Sequence, residues 1–529
     1  MKKAAVWAVL CAMVLSLAGC GSKEEQKSDT VTSQIFSDIV ALDPARMYDG
    51  ATMQVLQQVT EGILAQQMDG SMQPFLAEKW EAVDETTYVY TVRQDVTFSN
   101  GDPMTMEDVL FSLERHRDPE VASYMAWMFD NVESIRQTGD WEFTVKLKAP
   151  DATWQYVLGT AAGAVIQKKA CLAAGDSFGS SIEGLVGTGP YVIDSWTVGS
   201  ELRLSFNPSY WDPAYKDPDV KHIIFTVITE DTTRVSALIS GQTDIDLFVP
   251  GDLMDQVSAA EQTRMKVKET ANTLFLGMNC SLAPFDDVNV RRAITCAIPK
   301  EDINQNIIKN SGETAGSLPM SPYLYTFEKE SWEAYEKQVK TYAYDLDQAR
   351  AYLAQSAYPD GFSATLITDE TGVNNAIALV IQQSLADIGI QVKIERMSYD
   401  EIICHEFGEY VDENGNHTYE MGLFEWEADW PDPSGNIMGI FNSAYMGEGG
   451  SNVPGYANGR VDELLNAQAA ILDEAQRTQL LQRALDIIVD ECPIVPISYT
   501  YLKIGMNNRI QDFDCVTWGT YYKNMKLSK

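Results

Sequence analysis

The segment from residue 345 to residue 426 constrains the fold most, because its apolar spacing changes from one regular period to another. Residues 364–368 are typical of a strand, and apolar residues follow at helical spacing over 377–388. Residues 390–394 then alternate between apolar and polar side chains, which predicts a second strand. A strand, a helix and a strand joined by short loops form a right-handed βαβ unit with two parallel strands. The sequence therefore predicts an α/β fold.

A loop rich in tryptophan and acid follows the next strand of this segment. That strand lies near residues 419–424 and runs into Trp426-Glu427-Ala428-Asp429-Trp430-Pro431-Asp432-Pro433. In open α/β sheets, ligands bind outside the carboxyl ends of the strands. Indoles supply apolar contact area, and carboxylates supply orientation, as ligand sites require. The pattern alone leaves two interpretations open, a ligand-binding loop or a solvated turn capped by aspartates.

The N-terminal segment has the order of a secretory signal. Two lysines precede the apolar run 4–17, which is shorter than the ~20 residues of a membrane-spanning helix. The run ends in Leu17-Ala18-Gly19-Cys20, which resembles a bacterial lipobox, where a diacylglycerol is attached to the cysteine sulfur. We therefore predict a signal peptide over 1–19, lipidation at Cys20 and a polar tether over 20–30. The alternative is an ordinary signal in which the cysteine is incidental.

The charge balance excludes some partners. The chain has 529 residues, enough for two or three domains, with 39 Lys and Arg against 76 Asp and Glu, a formal charge of -37. A surface this acidic repels nucleic acid and anionic lipid head groups and slightly favours cationic ligands. Among so many acids, an adjacent pair such as Glu425 and Glu427 gives no support for acid–base catalysis.

Motifs of catalysis and metal binding are missing or out of context. The chain has no Gly-Lys dipeptide and therefore no phosphate-binding loop with its lysine. Gly175-Asp176-Ser177-Phe178-Gly179 matches Gly-x-Ser-x-Gly, but a helical pattern precedes it where a nucleophile needs a strand. The four histidines do not have the spacing of a zinc site. We therefore predict a protein that is not an enzyme and has no cofactor, metal or catalytic residue.

Several motifs in a fixed order identify a family. They are Leu42-Asp43-Pro44, Leu76-Ala77-Glu78-Lys79-Trp80, Val96-Thr97-Phe98-Ser99-Asn100-Gly101-Asp102-Pro103, Gly187-Thr188-Gly189-Pro190-Tyr191, Asn207-Pro208-Ser209-Tyr210-Trp211, Val290-Arg291-Arg292-Ala293-Ile294, Leu385-Ala386-Asp387-Ile388-Gly389-Ile390 and the loop at 426–433. With these motifs, the chain resembles the extracytoplasmic solute-binding proteins of the peptide/nickel ABC-importer family. The resemblance covers nearly the whole chain after the signal.

The resemblance implies an α/β, two-lobed periplasmic-binding-protein fold of the type II kind, with an extra domain inserted in the first lobe. The implied division is lobe I over 31–65, an inserted subdomain over 66–188, lobe I again over 189–274, lobe II over 275–490 and a return to lobe I over 491–529. Two stretches typical of strands, 269–280 and 492–501, are expected to cross between the lobes and to absorb the backbone change of closure.

The resemblance also implies a ligand site. In family peptide binders, the acid of the loop at 426–433 pairs with the terminal amine of the peptide, and by position that acid is Asp429. The neighbouring Trp426 and Trp430, together with Tyr48 and Asn279 from other parts of the chain, complete the predicted ligand-binding set.

One departure from the family pattern bears on the ligand. Family dipeptide binders place an arginine for the ligand carboxylate near the start of the helix before Leu385, whereas no Lys or Arg occurs here from Ala364 to Val392. This difference favours oligopeptides or another peptide-like, amine-bearing solute over dipeptides. The small number of histidines disfavours nickel chelates.

The function implied by the resemblance is that of a receptor. It would capture its solute between two lobes, deliver it to an ABC permease with its ATPase subunits, and act as a monomer held outside the cytoplasmic membrane by a lipid anchor alone. Two alternatives stay open at this point. One is a sensing or adhesive surface lipoprotein without transport, and the other is a secreted hydrolase.

Overall fold

The computed structural model describes residues 29–528 except 48, 68, 69, 517 and 518. The predicted signal peptide and Cys20 lie outside the described residues, so lipidation stays a prediction. Among the helices of the described part of the chain, none is both long enough and apolar enough to cross a membrane.

Strands and helices alternate along the described chain. The strands are β1 (Thr30–Ile35), β2 (Leu64–Gln66), β3 (Met72–Pro74), β4 (Ala77–Asp84), β5 (Thr87–Val92), β6 (Val132–Gly139), β7 (Glu142–Leu147), β8 (Tyr191–Thr197), β9 (Glu201–Phe206), β10 (His222–Val227), β11 (Ile245–Asp246), β12 (Thr263–Met278), β13 (Gly312–Thr314), β14 (Ser363–Asp369), β15 (Gln391–Met397), β16 (Met421–Trp426), β17 (Ile494–Asn507), β18 (Ile510–Asp512), β19 (Cys515–Val516), β20 (Gly519–Thr520) and β21 (Lys526–Leu527). The α-helices are α1 (Gly50–Leu56), α2 (Met106–Arg115), α3 (Trp154–Val157), α4 (Lys168–Ala174), α5 (Asp231–Ile239), α6 (Met254–Ala259), α7 (Val288–Ala297), α8 (Lys300–Ile303), α9 (Lys329–Glu336), α10 (Leu346–Leu353), α11 (Gly372–Ala386), α12 (Tyr399–Glu406), α13 (Ser434–Phe441), α14 (Gly459–Ala469) and α15 (Glu474–Glu491).

One large sheet connects two halves of the molecule. Its strand order is β15-β14-β16-β12-β17-β11-β1-β10-β9-β8, with β13 paired to β17 beside this path. We call the half with β1 and β8–β11 lobe I, and the half with β14–β16 lobe II. The long antiparallel strands β12 and β17 run through both lobes, and their pairing is irregular between Glu269 and Thr273. An irregular stretch in an otherwise continuous ladder lets the two strands bend between the lobes.

Two groups of parallel strands end on opposite sides of this irregular stretch. In lobe I, β1 is parallel to β10 and β11, and β11 is antiparallel to β17. In lobe II, β14 is parallel to β15 and β16, and β16 is antiparallel to β12. Because β12 and β17 run in opposite directions, both groups run toward the irregular stretch. Their carboxyl ends therefore face each other across a cleft, which is the ligand position in open α/β sheets.

Separate hydrophobic cores stabilise the parts of the fold. Lobe II has a core that extends from Ala271 to Ile497, and lobe I has one that includes Val31 and Met525. A third core surrounds the four-stranded sheet β4-β5-β7-β6. We call this unit, whose core runs from Ile63 to Val165, the small domain. The predicted boundaries of the inserted subdomain at 66 and 188 stay a prediction.

The strand, helix and strand predicted in the segment after residue 345 are present as β14, α11 and β15, and β14 pairs with β15 in parallel. Helix α11 begins because the side chain of Thr371 accepts a hydrogen bond from Asn374 N, which satisfies a free N–H group of the first turn. The chain turns after the helix at Gly389, whose φ of 91° suits glycine. The α/β expectation is confirmed.

The first strand, β1, covers Thr30–Ile35, and the chain leaves the sheet at Phe36. Both faces of β1 are covered, so polar side chains are buried in it as well as apolar ones. Ser33, for example, shares a 2.6 Å hydrogen bond with the hydroxyl of Tyr522. The alternation that marks a half-exposed strand is therefore missing.

Candidate ligand-binding cleft

Aromatic residues follow the strands of lobe I at the cleft. Phe36 follows β1 directly, and Phe248 follows β11. Their rings are 5.2 Å apart in a T-shaped arrangement, Phe248 is 37% exposed and Phe36 is half-buried. A partly exposed aromatic pair at the carboxyl ends of strands offers apolar contact to a bound molecule.

The lobe II side of the cleft begins with Trp426, the last residue of β16. Its backbone pairs with Thr273, at the edge of the irregular stretch of β12. The indole is 6% exposed and packs against Phe407, with ring centroids 6.0 Å apart. Within the described residues, its N–H group has no hydrogen-bond partner. Buried polar groups normally have one, so this donor is available to a molecule that enters the cleft.

Trp430 leaves lobe II and enters the small domain. It is 7% exposed, belongs to the core of the small domain, and lies with its ring centroid 5.6 Å from that of Trp127. Nearby, Ala152 N donates a hydrogen bond of 2.8 Å to Ala469 O, which joins the same two parts of the chain. Trp430 thus joins the loop of lobe II to the small domain, and its predicted contact with a ligand stays a prediction.

Asp432 is fully buried and forms an ion pair. Its oxygens accept hydrogen bonds of 2.8 and 3.0 Å from the two terminal nitrogens of Arg477, on α15. It also accepts from Ser434 N at 2.8 Å, so the turn-capping interpretation of this aspartate is correct but incomplete. The partner forty-five residues away left no signal in the sequence, because α15 is amphipathic with or without a buried arginine.

Asp429 is half-buried in the loop that follows β16, between Trp426 and Trp430. Burial raises the pKa of Tyr445, and the charges of Asp151, Asp429 and Asp130 raise it further. Negative charge from the loop and from the small domain therefore meets at this end of the cleft. An amine is the complementary group, and the role of Asp429 in binding it stays a prediction.

The sequence interpretation missed two carboxylates and a lysine in the cleft. Burial raises the pKa of Glu425, and the negative charge of Asp369 raises it further. The charge of Lys503 and a hydrogen bond from Asn272 lower it. That bond joins Asn272 Nδ2 to Glu425 Oε2 at 3.1 Å. Burial and the charge of Glu425 raise the pKa of Glu427 to about 8. Both side chains reach solvent, yet enough protein surrounds them to penalise their charge.

The start of helix α11 has no basic residue of its own, but a neighbouring strand supplies one. Asp369 accepts hydrogen bonds from Thr371 N and from Asn374 Nδ2, both at 2.8 Å, and so fixes the helix start. Arg396, near the end of β15, donates from its Nε to the Asn375 side chain in the first turn. A basic residue therefore lies near the start of α11, but it comes from β15, outside the stretch in which dipeptide binders place their arginine.

Asn279 does not lie in the cleft. It is fully buried, its amide donates hydrogen bonds of 2.8 Å to His417 O and Tyr419 O, and its oxygen accepts one from Ser281 N. It is also six residues along β12 from Thr273, or roughly 20 Å at the strand rise. The structure therefore gives Asn279 a structural role in place of the expected ligand contact. Tyr48 lies outside the described residues.

Comparison with known proteins identifies the family. The family model for bacterial extracellular solute-binding proteins, family 5 Middle, matches residues 71–448, more than half of the chain. The chain belongs to this family. Among its relatives, the dipeptide-binding protein DppE of Bacillus subtilis is 23% identical over 539 residues, which cover 95% of each chain.

Solved structures of similar fold cover nearly the whole family 5 protein. The periplasmic binding protein DppA from Helicobacter pylori, in complex with the peptide STSA, has a TM-score of 0.82 at 24% identity, and the alignment covers 96% of this chain and 100% of that one. AppA from Bacillus subtilis, in complex with a nonapeptide, has a TM-score of 0.79 at 20% identity, with 94% and 99% covered. These likenesses confirm the two-lobed periplasmic-binding-protein fold.

Family 5 proteins are extracytoplasmic solute-binding components of transporters and not enzymes, and the structure of the Gly-x-Ser-x-Gly match agrees with that. Gly175 ends helix α4, and Ser177 Oγ donates a hydrogen bond of 2.7 Å to Ala174 O. The serine is therefore part of a helix end, as expected from the sequence. Within the described residues, no group of three or more His, Cys, Asp or Glu side chains is placed to hold a metal ion.

Proposed function

We propose that this family 5 protein captures an oligopeptide or a peptide-like amine in the cleft between its lobes and delivers it to an ABC permease. One observation carries the proposal. The parallel strands of lobe I and those of lobe II end at the same irregular stretch of β12 and β17, so their end residues form two facing walls. Aromatic groups lie on both walls, and carboxylates lie on the wall of lobe II.

The chemistry of the walls supports a peptide-like ligand with an amine. The exposed Phe248 offers apolar contact, and lobe II presents Glu425 at the end of β16 and Glu427 and Asp429 in the loop after it. A protonated amine is attracted to such a group of acids, and enclosure by protein strengthens the attraction relative to water. DppA and AppA, whose folds this chain shares, were each solved with a peptide bound.

Calorimetry on ligand-free protein tests the proposal. The protein is unfolded in denaturant, dialysed to remove any bound solute, refolded, and titrated with alanine peptides of two to six residues. Binding of at least one peptide with micromolar or tighter affinity is expected, with the longer peptides favoured over dialanine. The absence of heat with every peptide, in a protein that regains its unfolding transition, would overturn the proposal. Mass spectrometry of solutes released at the unfolding step identifies the natural ligand class.

The proposed location is the outer face of the cytoplasmic membrane, where a lipid on Cys20 would hold the chain. A single acyl chain binds a membrane weakly and two bind it stably, since each buried CH₂ contributes ~0.8 kcal/mol. Replacing Cys20 by Ala should move the protein from the detergent phase to the aqueous phase of a detergent partition, or leave an uncleaved precursor. Unchanged partitioning would contradict lipidation. We further propose that the receptor is a monomer and that its partners are the permease and ATPase of the importer.

A further inference from the structure

Lys503 lies in the part of β17 that belongs to lobe I, directly beside the cleft. Its backbone pairs with Val267 of β12, and its carbonyl accepts a hydrogen bond of 2.9 Å from Val249 N. Val249 follows Phe248, so the lysine is next to the residues that leave the end of β11. The backbone of Lys503 therefore lies beside the segment that carries Phe248, and its charge interacts with that of Glu425 in lobe II, which places the side chain toward the cleft.

The ammonium group of Lys503 forms no close pair within the described part of the chain. Its Nζ makes no hydrogen bond, and no ion pair within 4 Å, to a described residue, although the charge of Glu425 acts on it. Two lysines on the adjacent strand differ in this respect, because Lys266 and Lys268 both pair with Asp514, at 3.0 and 2.6 Å. Lys503 is nevertheless partly buried, and burial lowers its pKa. A partly buried cation without a close partner is destabilising, and an anionic group bound beside it would offset that cost.

The charge of Glu425, on the other wall, acts on Lys503. Burial lowers the pKa of Lys503, and the charge of Glu425 raises it. Conversely, burial raises the pKa of Glu425, and the charge of Lys503 lowers it. The two groups are thus close enough to influence each other but too far apart to form an ion pair. A cation on lobe I and an acid on lobe II, separated by the cleft, are arranged to bind opposite charges of one molecule.

We propose that Lys503 binds the carboxylate of the solute, so that the receptor selects zwitterions and not simple amines. The inference rests on the proposed function and specifies its ligand further. The anionic end of the solute lies against lobe I at Lys503, and the amine lies against the acids of lobe II. Because the two anchors belong to different lobes, a molecule with both charges holds the lobes together, whereas a molecule with one charge does not.

The test compares tetra-alanine with tetra-alanine amide, which lacks the negative charge. Amidation should weaken binding to the wild-type protein by about ten- to a hundredfold, since charge-assisted hydrogen bonds to an enclosed group are strong. In Lys503→Met, the free acid should bind as weakly as the amide does to wild type, and amidation should then cost less than about threefold, because both changes remove the same contact. Lys503→Arg should retain most of the preference for the acid.

Two further variants separate a specific contact from general charge. Lys393→Met removes an exposed lysine that pairs with Glu395 on β15, and it should leave both affinities unchanged. Arg396→Met removes the basic residue at the start of α11. A preference for the acid that survives in Lys503→Met, or that disappears in Arg396→Met instead, overturns the inference. Equal binding of acid and amide by wild type also overturns it while leaving the proposed function intact. Failure of wild type to bind either peptide refutes the proposed function and the inference together.

Discussion

The two halves of the loop after β16 have similar compositions but different surroundings. In the first half, Glu427 reaches solvent and Asp429 is half-buried, and burial raises the pKa of Glu427. In the second half, Trp430 is packed into the small domain and Asp432 is neutralised by Arg477. A tryptophan and an acid thus occur in each half. The second half joins lobe II to the small domain, whereas we propose that the first half binds the ligand.

The largest effect is expected from the buried ion pair of the second half. Asp432→Asn leaves the charge of Arg477 uncompensated, and breaking a buried pair in this way costs ~3–5 kcal/mol of unfolding free energy. Denaturant unfolding at neutral pH measures it. Replacing both residues, as in Asp432→Asn with Arg477→Met, should cost less than the sum of the single changes. As a control, Glu463→Gln in the exposed pair with Arg460 should change stability by less than ~1 kcal/mol.

The next effect belongs to the first half and concerns affinity. Asp429→Asn should weaken the binding of tetra-alanine by about ten- to a hundredfold, because a half-buried pair lies between the exposed and buried limits of ~0–1 and ~3–5 kcal/mol. N-acetylation of the peptide should weaken wild type similarly and add little in the variant. The control is Asp347→Asn, whose side chain is 97% exposed on α10. If Asp429→Asn binds within about threefold of wild type, the amine lies elsewhere.

A smaller effect tests whether the aromatic contact of the second half stabilises closure. Trp127→Ala removes the ring that faces Trp430 but leaves lobe II intact. An aromatic pair contributes ~0.5–1.5 kcal/mol beyond its buried area, so affinity should fall by about two- to tenfold. Small-angle scattering should show a less compact ligand-bound form. Trp141→Ala, on the hairpin between β6 and β7, is the matched tryptophan control and should leave affinity unchanged.

The smallest expected effect is the release of protons from Glu427 when the solute binds. With a pKa of about 8, Glu427 is mostly protonated at pH 7 in the free protein. An ammonium group brought near it favours the carboxylate, which lowers the pKa of Glu427 and releases up to about one proton on binding. The binding enthalpy at pH 7 should therefore differ between phosphate and Tris, because each buffer takes up the released protons with a different heat. Glu427→Gln should remove the difference, and equal heats for wild type would show that the acid does not sense the amine.

Local patterns were sufficient to predict the fold in its main parts. The apolar spacing of α11 and the alternation of β15 belong to single elements, and each was assigned correctly from its own residues. The position of the loop after β16 followed from the same patterns, because the carboxyl end of a parallel strand has a fixed place in such a sheet. Residues whose surroundings come from one segment are therefore accessible to sequence reasoning.

The partners of the site residues were not accessible in this way. Arg477 reaches Asp432 from another helix, Lys503 faces Glu425 across the cleft, and Asn279 uses its amide for backbone groups of a distant strand. Each contact joins segments that are far apart in sequence, and no local period encodes it. Burial of a charge is likewise a property of the assembled lobes, which is why Glu425 and Glu427 looked ordinary among 76 acids.

The position of Trp430 in the core of the small domain has a consequence for the time course of transport. Lobe II cannot move away from the small domain without exposing this indole to water, and moving a large side chain out of a core costs ~1.5–3 kcal/mol. That cost adds to the barrier for opening, so it lengthens the residence time of the captured solute by slowing dissociation more than association. A membrane partner that pulled Trp430 out of this core would release the solute without changing the contacts that the solute itself makes.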